Sequence, residues 1–85
     1  MTTVVPEGIL AAVEAALEEL TAHVRKSLDI MELHAAIRAL EMGMAAFTED
    51  YGPQERDRIF LSMRALHAMT KEKIKRVEQH NKTLN

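Results

Sequence analysis

Apolar residues recur at helical spacing in three successive stretches of the chain. In the first stretch they fall within one arc of about 120° on a helical wheel. These residues are Ile9, Leu10, Val13, Leu17, Leu20 and Val24. Pro6 suits the start of a helix, and Arg25 and Lys26 suit its last turn. The pattern predicts an amphipathic helix over residues 7–26.

The second stretch is apolar around most of its circumference. One arc has an unbroken 3-4-3-4-3 spacing, made by Ile30, Leu33, Ile37, Leu40, Met44 and Phe47. A second arc consists of small residues that would let another helix approach closely, namely Ala35, Ala36, Ala39, Gly43 and Ala46. Asp29 and Glu32 have the spacing of a capping box, which predicts a helix over residues 29–49. A kinked or continuous helix through Ser27 and Leu28 is the alternative, because this linker lacks glycine and proline.

The third stretch begins after Tyr51-Gly52-Pro53, where the second pattern stops. Gly52 can take a left-handed conformation and Pro53 can begin a helix, so a long third helix is expected over residues 53–80. Its main apolar arc holds Ile59, Phe60, Met63, Leu66, Ile74 and Val77. Leu61, Ala68 and Met69 lie off that arc and predict a second, weaker contact surface.

These elements predict a single all-α domain spanning residues 1–85. We expect three antiparallel helices, with the second and third forming a long hairpin. A chain of 85 residues has a thin core, and the second helix has apolar residues on two sides. A homodimer that completes a larger bundle is therefore expected, and a monomeric three-helix bundle is the alternative.

Composition narrows the classes of function. The chain has no cysteine, which excludes disulfides and cysteine-ligated metal sites. The first residues, MTTVVPEGIL, lack the basic and long apolar regions of a secretory signal. No apolar run approaches the roughly 18 residues that indicate a membrane span. A cytoplasmic protein that does not enter a membrane is expected.

Charge is distributed unevenly along the chain. Residues 1–50 carry nine acidic and three basic residues, whereas residues 51–85 carry four acidic and eight basic residues. Arg64, Lys71, Lys75 and Lys82 form a basic stripe along the third helix. Such a stripe could follow a phosphate backbone, but no aromatic side chain interleaves with it for base stacking. A solvated helix face is the expected role, and binding of an acidic protein partner and binding of nucleic acid are the unfavoured alternatives.

The histidines offer a second candidate site. His34 and His67 would lie at the same height if the hairpin turn centred near residues 50 and 51, and His23 would lie within about one helical turn of it. Because histidine is the commonest metal ligand, His23, His34 and His67 are a candidate metal or cofactor site. Arg38 lies one turn from His34, and no helix contains a His-x-x-x-His or Glu-x-x-His pair. Structural or surface roles are therefore favoured.

The sequence favours a small interaction protein over an enzyme. It contains no glycine-rich phosphate loop and no spacing that indicates a catalytic triad. The leading hypothesis is an adaptor, small chaperone or regulatory subunit that binds itself and another protein by helix packing, without a cofactor. The predicted interface residues are Ala35, Ala39, Gly43, Ala46, Leu61, Ala68 and Met69. The metal-binding bundle is the alternative, and nucleic-acid binding is the third hypothesis.

Overall fold

The computed structural model describes residues 6–51 and 58–84, which form three helices with no strand among them. The helices are α1 (Glu7–Lys26), α2 (Ile30–Tyr51) and α3 (Arg58–Leu84). The closest packing is between α2 and α3, and α1 packs more extensively on α3 than on α2. The predicted all-α fold with three helices is confirmed. Homodimerisation stays a prediction, because the structure contains one chain.

The connection between α1 and α2 is a true break in the helix. Ser27 has extended backbone angles, with φ −73° and ψ 136°, so the continuous-helix alternative is wrong. Asp29 caps α2, since its Oδ1 accepts hydrogen bonds from the N–H groups of Met31 at 2.8 Å and Glu32 at 3.4 Å. The Ser27 hydroxyl accepts the Asp29 N–H at 3.2 Å and donates to the Glu32 carboxylate at 2.7 Å. The Asp29 half of the predicted capping box is thus present, whereas the Glu32 carboxylate accepts the Ser27 hydroxyl instead of the Asp29 N–H.

The end of α1 is held by a lysine from α3. The carbonyl of His23 accepts the N–H of Ser27 at 2.9 Å, which leaves the next two carbonyls without a helical donor. The Lys73 ammonium donates to the Val24 carbonyl and, at 2.7 Å, to the Arg25 carbonyl. A cation at this position also complements the negative end of the helix dipole. Lys73 therefore attaches α1 to α3 by polar contacts.

The core has two clusters along the bundle. The first lies near the α1–α2 connection and contains the buried residues Val24, Leu33, Ala36, Ile74 and Val77. The second contains Phe47, Ile59 and Met63, with partly buried residues of α1 packed against it. The apolar arcs predicted for all three helices face these clusters. Ala36 is buried as well, although the sequence pattern placed it on the arc of small residues.

The C-terminal end of α3 differs from the prediction, and its predicted start is not tested. Gly52 and Pro53, the predicted turn and helix start, lie outside the described residues. The other end reaches Leu84, four residues beyond the predicted 80. No glycine or proline interrupts this segment, and the Thr83 hydroxyl donates to the Gln79 carbonyl at 2.9 Å. The helix therefore continues beyond the last residue of its apolar arc.

Candidate interaction surface

An open apolar groove lies between α1 and α2. It has a volume of about 280 Å³, and every residue that lines it is apolar. The lining residues are Val13, Ala16, Leu17 and Leu20 of α1, Ala39, Leu40 and Gly43 of α2, and Met63 of α3. We call this the α1–α2 groove. The groove is open because α1 packs mainly on α3 and the residues of α2 that face α1 are small.

Gly43 lies in the middle of α2 and lines the α1–α2 groove. A Cβ atom added to Gly43 would meet no heavy atom within 4 Å, so nothing in the described part of the chain requires a glycine there. Glycine in a helix interior costs about 1 kcal/mol relative to alanine. Gly43 therefore keeps space open at the cost of helix stability.

A second apolar surface lies on the side of α2 that faces solvent. Met31 and Met42 are 81% and 73% exposed, and Ala35 and Ala46 are also exposed. The four residues are spaced by four, seven and four positions, so they share one helix face. We call this the outer face of α2. Two large apolar side chains therefore lie in solvent on this face, which they share with the exposed charged residues Arg38 and Glu49.

The structure places the predicted interface residues in several different environments. Ala35 and Ala46 lie on the outer face, Gly43 lines the α1–α2 groove, and Ala39 is exposed and also lines the groove. On α3, Leu61 is 49% exposed and Ala68 is exposed. Met69 is partly buried and packs against the core cluster near the α1–α2 connection.

The groove residues of α1 were not identified from the sequence. Ala16, Leu17 and Leu20 line the groove beside Ala39 and Gly43. Leu17 and Leu20 fitted the core arc of α1, which gave no reason to assign them to a second surface. The sequence feature that could have indicated this surface was Ala16, a small residue beside the apolar arc of α1.

The three candidate histidines have separate surroundings. His67 is partly buried, and its Nε2 lies 3.1 Å from the Glu41 carboxylate. The Nε2 of His23 lies 3.7 Å from the Glu32 carboxylate. His34 is exposed. Across residues 6–51 and 58–84, no group of three histidine, cysteine, aspartate or glutamate side chains could hold a metal ion.

The expected height match between His34 and His67 is wrong for a geometric reason. His67 meets Glu41, which lies seven residues, or about 10 Å, along α2 from His34. The expectation assumed a turn centred near residues 50 and 51, but α2 continues to Tyr51. The contact of His67 with Glu41 shifts α3 by about two turns relative to the expected register.

A larger groove between α1 and α3 is a weaker candidate. It has a volume of about 400 Å³ and is lined in part by Glu14, Glu18, Arg25 and Arg58. Its polar side chains include Thr21, whose hydroxyl already donates to the Leu17 carbonyl at 2.7 Å. Exposed charges of both signs line it, as on an ordinary solvated surface. This groove therefore does not indicate a particular ligand.

The predicted basic stripe is exposed along its whole length. Arg64, Lys71, Lys75 and Lys82 all lie in solvent. Lys73 is different, since it is only partly exposed and binds the carbonyls at the end of α1. The stripe is compatible with the solvated face that the sequence favoured.

Comparison with protein-family models, curated proteins and solved structures finds no match to this chain. Among the described residues, none of the helices combines the length and apolar character that crossing a membrane requires. The candidate surfaces are therefore interpreted from their own chemistry.

Proposed function

We propose that the protein is a non-enzymatic interaction module whose α1–α2 groove accepts an amphipathic helix of a partner protein. The observation that carries this proposal is an uncovered, wholly apolar groove with a glycine in the middle of one of its helices. A partner helix would bury its apolar side chains there, which is a common mode of peptide recognition. An adaptor, a small chaperone or a regulatory subunit would act in this way.

Gly43 supports the proposal because a glycine at this position destabilises α2 when no partner is bound. Alanine at this position would stabilise α2 and meet no neighbour within 4 Å, so folding of the single chain does not explain the glycine. A helix that docks in the groove would explain it, because missing side chains let two helix backbones approach closely. Local features that disfavour folding are often found at functional sites.

The charge of the groove helices restricts the partner. Both α1 and α2 belong to the part of the chain that carries nine acidic and three basic residues up to position 50. A partner helix with basic residues beside its apolar face would complement this charge. We propose a cytoplasmic location for this interaction, in keeping with the absence of cysteine.

The test fills the groove without unfolding the protein. Gly43→Leu places a side chain in the open space, and leucine is a better helix former than glycine. We expect the variant to be about 0.5–1 kcal/mol more stable than wild type in urea denaturation and to lose partner binding. Gly8→Leu is the matched control, because the space around Gly8 is also open but Gly8 does not line the groove.

Binding is measured by affinity capture from the organism's own lysate, with and without nuclease, followed by mass spectrometry. The proposal predicts a stoichiometric protein partner that survives nuclease, binds wild type and Gly8→Leu, and is lost with Gly43→Leu. Capture of the same partner by all three proteins would show that the groove is not the binding site. Recovery of nucleic acid alone, removed by nuclease, would instead favour the basic stripe on α3.

A further inference from the structure

We propose that a pocket between the end of α1 and the C-terminal half of α3 binds a small molecule made of an aliphatic chain and a carboxylate. The pocket has a volume of about 340 Å³. Its apolar lining residues are Val24, Leu28, Met69 and Val77, and its charged lining residues are Arg25, Lys73 and Arg76. We call it the Lys73 pocket. This inference goes beyond the proposed function, because none of these residues lines the α1–α2 groove.

The apolar part of the pocket has a buried floor and an exposed wall. Val24 and Val77 are buried and belong to the core cluster near the α1–α2 connection, against which Met69 packs. Leu28 follows α1 and is 74% exposed, so it provides apolar surface that the described part of the chain leaves in solvent. An aliphatic chain in the pocket would remove this surface from water, which favours binding.

The dimensions of the pocket fit a small molecule. Its lining on α3 runs from Met69 to Val77, which is about 12 Å of helix. A chain of about eight carbon atoms with its carboxylate has a similar length, since each bond is about 1.5 Å long. The volume is near the lower end of the range for ligand sites, roughly 300–1,000 Å³. A partner helix would extend past Val77 onto Glu78, Gln79 and His80, which are all exposed.

The charges that line the pocket select an anion. Arg25, Lys73 and Arg76 are all cations, and no acidic residue lines the pocket. In the described part of the chain, none of the three forms a salt bridge with a carboxylate. The larger groove between α1 and α3 differs in this respect, because acidic and basic residues line it together. The Lys73 pocket therefore combines an apolar floor with positive charge that no described carboxylate neutralises by direct contact.

The acidic residues at this end of the molecule have other partners or lie outside the pocket. The Asp29 carboxylate caps α2, where it accepts the Met31 N–H at 2.8 Å. The Glu32 carboxylate accepts the Ser27 hydroxyl at 2.7 Å. Glu72 is exposed and does not line the pocket. These acids reduce the net charge of this end of the molecule without pairing with the cations of the pocket.

Lys73 supplies a positioned hydrogen-bond donor. The carbonyls of Val24 and Arg25 accept hydrogen bonds from its ammonium, which has three N–H groups. The third N–H can donate to a ligand carboxylate. Because the charge of Lys73 also compensates the negative end of the α1 dipole, most of the attraction for an anion comes from Arg25 and Arg76. A guanidinium group can bind a carboxylate through two parallel hydrogen bonds.

The experiment is a titration of the full chain with octanoate, followed by amide chemical shifts in NMR spectra below the micelle concentration of the ligand. We expect saturable shifts that are largest at Leu28, Met69 and Arg76. Acetate has the charge without the chain, and 1-octanol has the chain without the charge. Octanoate should bind at least about tenfold more tightly than acetate, because its chain is buried. It should bind at least about fivefold more tightly than 1-octanol, a modest ratio because the arginines are exposed.

Matched variants separate the pocket from general charge and hydrophobicity. Arg76→Gln should weaken octanoate binding at least about fivefold, whereas Arg64→Gln removes the same charge from an exposed position outside the pocket and should bind like wild type. Leu28→Ser should weaken binding, and Leu61→Ser, at an exposed leucine of α3 outside the pocket, should not. All four positions are exposed, so circular dichroism should show unchanged helicity.

Several results would overturn the proposal. One is equal weakening by Arg76→Gln and Arg64→Gln, and another is binding of 1-octanol as tight as that of octanoate. Shifts that are largest at Ala39 and Gly43 would place the ligand in the α1–α2 groove instead. Binding to phosphatidylglycerol vesicles without saturable binding of octanoate would indicate a membrane surface. Gly43→Leu should bind octanoate like wild type, so failure of the groove proposal and failure of this one are distinguishable.

Discussion

At the scale of the residue, burial decides what a leucine contributes to stability. Leu33 is fully buried beside Val24, whereas Leu28 in the α1–α2 connection is 74% exposed. The change Leu33→Ala removes the same atoms as Leu28→Ala but leaves a cavity in the first core cluster. We expect the free energy of unfolding to fall by about 2–5 kcal/mol for Leu33→Ala, and by less than about 0.5 kcal/mol for Leu28→Ala.

Urea denaturation followed by circular dichroism measures both values, at one low protein concentration so that association does not contribute. Similar losses for the two variants would mean that the first core cluster does not dominate stability. A drop in the denaturant slope for Leu33→Ala would indicate a looser native state instead of a simple loss of packing.

Thr70 shows a limit of predicting core residues from the spacing of apolar residues. Leu33, Leu40 and Phe47 were identified as core residues because apolar side chains recur every three or four residues. Thr70 is fully buried in the same way, and it completes the spacing between Leu66 and Ile74. A hydrophobic pattern omits it because threonine is polar. Its hydroxyl is satisfied locally, since it donates to the Leu66 carbonyl at 2.7 Å.

At the scale of the element, α1 depends on a polar attachment as well as on its apolar face. Within the described chain, Val24 is the one residue of α1 that is buried, and Lys73 holds the carbonyls of Val24 and Arg25. Lys73→Met keeps the aliphatic stem but removes both hydrogen bonds. We expect a loss of about 1 kcal/mol in unfolding free energy, moderated by the partial exposure of the ammonium group.

The matched control is Lys75→Met, an exposed lysine two residues later that makes no such contact in the described structure. Hydrogen exchange should show faster exchange in the last turn of α1 for Lys73→Met and no change for Lys75→Met. If both variants exchange like wild type, Lys73 does not attach α1 to α3.

Helix boundaries were predictable wherever the sequence carried a local signal. Glu7–Lys26 was predicted at both ends, and Asp29 was identified as the cap of α2 from its spacing to Glu32. The relative shift of α2 and α3 was not predictable in the same way. It depends on the connection through residues 52–57, which lie outside the described part of the chain. That shift separated His34 from His67 and paired His67 with Glu41.

At the scale of the whole molecule, the two core clusters are unequal. The fully buried apolar side chains Val24 and Leu33 belong to the cluster near the α1–α2 connection. At the other cluster, the α1 residues Leu10, Val13 and Leu17 are only partly buried. This asymmetry arises because α1 packs weakly on α2, which also leaves the α1–α2 groove open. The candidate binding surface and the weaker end of the core therefore have the same origin.

This asymmetry predicts that α1 opens before the rest of the molecule. Native-state hydrogen exchange in low denaturant should give the lowest opening free energies for amides in the first half of α1, because few of its side chains are buried. Amides near Leu33 and Ile74 should exchange only through global unfolding. Gly43→Leu, which fills the groove between α1 and α2, should raise the opening free energy of α1, and Ala45→Leu, at an exposed position of α2 that does not line the groove, should not. Equal opening free energies for all three helices would show that the chain unfolds as one cooperative unit, and that the open groove does not weaken the attachment of α1.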